Sequence, residues 1–90
     1  MLVSDHVYLA KVDQADEISD ESGEYVYVQL AAIIRGQIES GRITGRLPSV
    51  RTLTETYGIS HVTATSALKL LADEGLVYPV KGRGWFLVRN

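Results

Sequence analysis

The polar residues that could do chemistry in this 90-residue chain are suited to gripping a polyanion, not to breaking bonds. Arg51 follows Pro48 and Ser49, while Lys81 and Arg83 flank Gly82, so three long cations sit where helices or turns begin. Such side chains can bond phosphate oxygens, and an arginine can also address a guanine edge with two parallel bonds. Between them runs ISHVTAT, where Ser60, His61, Thr63 and Thr65 supply hydroxyls and an imidazole and Val62 supplies methyl surface. Each has an ordinary reading as well. Arg51 could sit in an ion pair along its helix, and His61 could simply be solvated. Thr63 and Thr65 could bond back to the preceding turn, and Lys81 and Arg83 could only solubilise a turn. Trp85 and Phe86 alternate along a short run and are expected to pack, not to stack on bases.

Catalytic and metal chemistry find no comparable constellation. Cysteine is absent, the histidines at 6 and 61 are far apart, and no carboxylate or histidine cluster has ligand spacing. No base with an orienting partner, and no phosphate-cradling loop, can be placed. The chain is therefore expected to be no enzyme and to need no metal or cofactor. Lack of cysteine fits a reducing compartment, here expected to be the cytoplasm. No run approaches the ~20 apolar residues of a membrane span, and the first residues lack the pattern of a signal peptide, so neither membrane contact nor processing is expected.

The formal charge of −2 conceals two opposed segments. Residues 1–24 carry Lys11 against Asp5, Asp13, Asp16, Glu17, Asp20, Glu21 and Glu24, a net of −6. Residues 25–90 carry eight cations against Glu39, Glu55, Asp73 and Glu74, a net of +4. An acidic arm thus precedes a basic domain. The stretch DQADEISDESGE is too polar to bury much surface. Residues 6–12, HVYLAKV, suit an extra short strand that would need another edge to pair with. A length of 90 residues with 46% hydrophobic composition supports one small core, assigned to residues 25–90.

The elements that must carry the cations follow from periodicity and punctuation. Val26, Leu30, Ile33, Ile34 and Ile38 recur at steps of three and four, which predicts a helix over 25–40 with Gly41 as its stop, although Gly36 weakens its middle. Ser49 caps a short second helix bearing Val50, Leu53 and Tyr57 and ending at Gly58. Ser60 caps a third helix, with Val62, Ala64, Ala67, Leu68 and Leu71 as its buried stripe and Gly75 after it. Only Gly58, Ile59 and Ser60 join the two, so they must cross steeply, as in a helix-turn-helix. LVYPV and WFLVR, separated by Lys81 to Gly84, read as a hairpin with Pro79 at an edge. The fold expected is mainly α with a small β-hairpin: three helices plus a wing.

This arrangement suits duplex DNA. One helix fits a major groove, and the third helix begins without an acidic residue, leaving its positive end free for phosphates. The span from Tyr25 to Arg89 also resembles the DNA-binding domain of the GntR family of bacterial transcription regulators. The features that carry the resemblance are IESGR, LPSVR, YGISHVTATSAL, LADEGLV and KGRGWF, in that order. It implies a winged helix-turn-helix bound to double-stranded operator DNA as a homodimer. The family's contact positions map onto Ser49, Arg51, His61, Thr63, Thr65, Lys81, Gly82 and Arg83, and Ser60, the cap of the third helix, is counted with them as a DNA-binding candidate. Members often carry Glu where Val50 stands and Arg where His61 and Thr65 stand, so a different operator or weaker binding is expected. Most members continue into a ligand-sensing domain. This sequence ends at Asn90, so no small-molecule effector is expected. The expectation is a transcription regulator, taken as a repressor; the alternative is a winged-helix adaptor that binds a protein partner and no DNA.

Overall fold

In a computed structural model residues 25–89 are described, and the acidic arm with its expected strand at 6–12 lies outside them. Three helices are followed by a hairpin: α1 (Val26–Glu39), α2 (Val50–Tyr57), α3 (His61–Asp73), β1 (Val77–Val80) and β2 (Gly84–Leu87). Helix α1 enters from Tyr25 in the left-handed region, φ 56°, and its first turn has no side-chain cap. Its stability must come from packing, since an uncapped helix of this length is marginal alone. Leu30, Ala31, Ile33 and Ile34 supply that packing, while Ile38 lies at the edge of the core. Val26, expected on the same stripe, is outside the buried cluster.

Helix α3 lies between α1 and α2 and touches both, more extensively α1. Ala64, Ala67, Leu68 and Leu71 are completely buried there. Two alanines on the contact face let the helix axes approach, and the leucines fill the space around them. Val62 departs from the expected stripe: it is 72% exposed. The geometry explains the departure, because at 100° per residue Val62 lies roughly 200° from Ala64 and so on the opposite face. Its residue type suggested burial; its position does not allow it.

The chain turns between α2 and α3 at Gly58, which takes φ 66° and sends its N–H back to the Thr54 carbonyl at 2.9 Å. A side chain in this left-handed conformation would be strained. After α3, the N–H of Leu76 bonds the Leu71 carbonyl at 3.0 Å and that of Gly75 bonds Ala72 at 2.9 Å. This paired closure redirects the chain into β1.

Strands β1 and β2 run antiparallel with Val77 opposite Leu87, Tyr78 opposite Phe86, Pro79 opposite Trp85 and Val80 opposite Gly84. Val77, Trp85 and Leu87 face the core, whereas Tyr78 and Phe86 pair on the outer face, ring centroids 6.1 Å apart. Phe86 is thus a surface partner of Tyr78 and no part of the core cluster. The segment before α2 covers the free edge of β2. Leu47 donates to the Trp85 carbonyl at 2.9 Å, Leu87 donates to Gly45 at 2.8 Å, and Arg46 bridges to Phe86. Strand β2 is therefore central, and Pro79, which cannot donate to a ladder, stands on the outer strand where that costs little.

Candidate nucleic-acid interface

Helices α2 and α3 begin with the same local device. Ser49 and Ser60 are both in extended conformation, ψ 161°, which aims each hydroxyl at the open first turn. The Ser49 Oγ accepts the Thr52 N–H at 3.0 Å and donates to Thr52 Oγ1 at 3.0 Å. The Ser60 Oγ accepts the Thr63 N–H at 3.0 Å and donates to Thr63 Oγ1 at 2.9 Å. One orphan donor is satisfied in each helix, and the threonine takes the place that Glu or Gln holds in a capping box. No acidic residue lies in either first turn, so the positive helix ends are not neutralised.

These caps settle what the sequence-derived residues display. Arg51 occupies the second position of α2 with its side chain 87% exposed, and its Nε donates to Glu55 Oε2 at 3.2 Å. An exposed pair spaced by four residues contributes only about 0.3–0.5 kcal/mol, so a phosphate can displace Glu55 cheaply. His61 and Val62 are exposed at the leading end of α3, beside the half-buried Thr63. Thr65 requires a correction. Its Oγ1 is buried with no hydrogen-bond partner, so its hydroxyl is turned into the molecule and is not offered at the surface as expected.

The far end of α3 is held separately. Asp73 and Glu74 fall at the negative helix end, where carboxylates are unfavourable. Arg35 of α1 offsets this with two parallel bonds to Glu74, Nε to Oε1 at 2.9 Å and Nη2 to Oε2 at 2.7 Å. Hydrogen bonding to Glu74 raises the Arg35 pKa above its ordinary value against the opposing effect of desolvation, with the charges of Glu74 and Glu39 adding to the rise. The helix is thus fixed at its acidic end and open at its other end.

The hairpin tip consists of Lys81, Gly82 and Arg83, all exposed. The backbone N–H of Arg83 donates to the Val80 carbonyl at 2.9 Å, and Gly82 takes φ 77°, the positive value that a type II turn requires at its third residue. Two cations are thereby presented on a tight, ordered turn. Arg46 joins them. Its bridge to Phe86 puts it on the outer face of the wing, and its guanidinium lies over Gly84, where a β-carbon would sit 3.5 Å from Nε and 3.6 Å from Nη2. Arg46 is not among the contact residues that the sequence singles out. The available signal was Leu47, which precedes Pro48 and is therefore pushed toward extended backbone. Among the described residues no cluster of histidine and carboxylate groups could hold a metal ion, and no helix is long and apolar enough to cross a membrane.

The match to known proteins is decided over residues 26–87, which fit the model of the bacterial regulatory proteins of the gntR family. The chain belongs to the GntR family. Its helices and wing are the winged helix-turn-helix of GntR DNA-binding domains. The HTH-type transcriptional repressor NagR of Bacillus subtilis is 39% identical over 72 residues, 78% of this chain and 30% of NagR. This chain thus spans about a third of the length of the curated GntR relatives it matches. Among solved structures, YtrA from Sulfolobus acidocaldarius, a GntR-family transcription factor, superposes with a TM-score of 0.73 at 30% identity, covering 82% of this chain and 80% of YtrA. The DNA-binding domain of AraR in complex with operator ORR3 gives a TM-score of 0.67 at 31% identity, covering 69% of this chain and 77% of that one.

Proposed function

We propose that residues 25–90 bind operator DNA with α3 as the recognition helix in the major groove, and that the protein regulates transcription by occupying a promoter. The observation that carries this reading is the leading end of α3: exposed at His61 and Val62, free of acid, and braced behind by α1 and α2. A helix presented in this way enters a groove end-on, with its amides toward phosphates. Likeness to AraR, whose DNA-binding domain is known bound to operators, supports the same docking here.

In this reading Arg51 sets register on a phosphate beside α3, and Lys81, Arg83 and Arg46 meet the neighbouring backbone or minor groove through the wing. The exposed amide of Gly82 can approach the backbone closely. Ser49, Ser60 and Thr63 act first as caps that hold the contacting turns, and Thr65 acts through packing. The domain would sit as a homodimer on a two-fold related site, act as a repressor in the cytoplasm, and catalyse no reaction.

Fluorescence anisotropy with a duplex pool at two salt concentrations tests the proposal. Saturable binding that weakens with salt, by roughly 0.9 in log K per log salt for each neutralised phosphate, is expected. Absence of saturable duplex binding at either salt overturns it and returns the protein-adaptor alternative.

A further inference from the structure

Resting on the DNA-binding reading above, we propose that Val62 is a specificity-determining residue that recognises the C5-methyl group of a thymine in the major groove. Val62 is the most exposed of the large apolar side chains in the described residues, at 72%. It gains nothing for the free domain: it packs on no core residue, and a β-branched side chain is a poorer helix former than alanine. Its position is the second of α3, the same place that Arg51 holds in α2. The two matched first turns therefore present a cation from one helix and an isopropyl group from the other.

The polar alternatives around Val62 are already engaged. Ser60 and Thr63 are bonded to each other, and the Thr65 hydroxyl, one turn further along the same side, is buried. In the first turn the side chains left without a partner are thus the His61 imidazole and the Val62 isopropyl group, and the next hydroxyl on that side after Thr65 is that of the half-buried Ser66, one turn further along. Base edges in the major groove offer hydrogen-bond donors and acceptors, and the methyl of thymine is the apolar group among them. An isopropyl facing cytosine would bury its N4 amino group without a partner, which penalises the wrong base as well as favouring the right one.

The test selects duplexes bound by the full chain from a randomised pool, then replaces each retained thymine with uracil, which removes the methyl and leaves base pairing intact. At one or more positions the change should weaken wild-type binding about fourfold, equivalent to ~0.8 kcal/mol for one methyl-sized group. Val62→Ala should bind thymine and uracil duplexes equally at those positions and should lose base preference there alone. Val62→Thr, of the same shape, should also lose part of the dependence, and both variants should melt at or above the wild-type temperature. Equal responses of wild type and Val62→Ala to every thymine-to-uracil change would overturn the inference while leaving DNA binding intact. Failure of the wild type to select any duplex would overturn the DNA-binding reading and this one with it.

Discussion

The Ser60 hydroxyl both accepts from the Thr63 amide at 3.0 Å and donates to the Thr63 hydroxyl at 2.9 Å, so the first turn of α3 is closed by one residue just outside the helix. Removing this oxygen leaves the helix end exposed to fraying. Ser60→Ala should cost about 1 kcal/mol of stability and should reduce affinity for duplex DNA further than its effect on folding explains, because the frayed turn bears His61. Ser49→Ala should cost a similar stability at α2. Thermal melts and anisotropy on the two variants check this; equal stability of Ser60→Ala and wild type would show that the cap contributes nothing.

Arg35 and Glu74 should couple by about 1 kcal/mol in a double-mutant cycle, near the upper limit for partly exposed pairs because the contact is bidentate. The sign of the pH dependence follows from the raised Arg35 pKa. A cation whose folded pKa exceeds its unfolded value stabilises fully below the unfolded value and loses that contribution as pH rises through the folded one. Its contribution should therefore stay constant across neutral and mildly alkaline pH and fall with added salt. Denaturant melts of the single and double alanine variants measure the coupling.

Thr65→Val should raise stability, by about 1 kcal/mol, since it replaces an unpartnered buried hydroxyl with a methyl of the same shape. DNA affinity should be unchanged. A variant that melts higher yet loses binding would mean that the hydroxyl turns outward in the complex.

The glycine stops and serine caps were legible because their chemistry is local: Ser49, Ser60, Gly58 and Gly75 act within a few residues of themselves. The hairpin was legible for the same reason, through the glycines at 82 and 84. What escaped depends on partners distant in sequence or on rotamers. The pairing of residues 45–47 with β2 requires a strand forty residues away, so nothing near Arg46 in sequence announces it. Thr65 lies at the margin of the buried stripe, and nothing in its neighbours says which way its hydroxyl turns. Val62 has the residue type of a core position, but its angle on α3 places it on the exposed face. The caps fix where α3 starts; tertiary packing decides what that start displays.

The acidic arm should weaken nonspecific DNA binding. Its charge of −6 adjoins a domain of +4, and at physiological salt charges interact over about 8 Å, which allows the arm to compete with phosphates. Deleting residues 1–24 should tighten binding to random duplex, most clearly at low salt. Unchanged or weaker binding on deletion would assign the arm another role.

The end-on presentation of α3 to DNA is tested most directly by photo-cross-linking from single engineered cysteines, which are unique because the chain has none of its own. A cross-linker on His61→Cys should label bases of a bound duplex, whereas the same reagent on Asp73→Cys, at the opposite end of the helix, should label none. Labelling from position 73 and not from 61, with binding retained in both, would contradict the account.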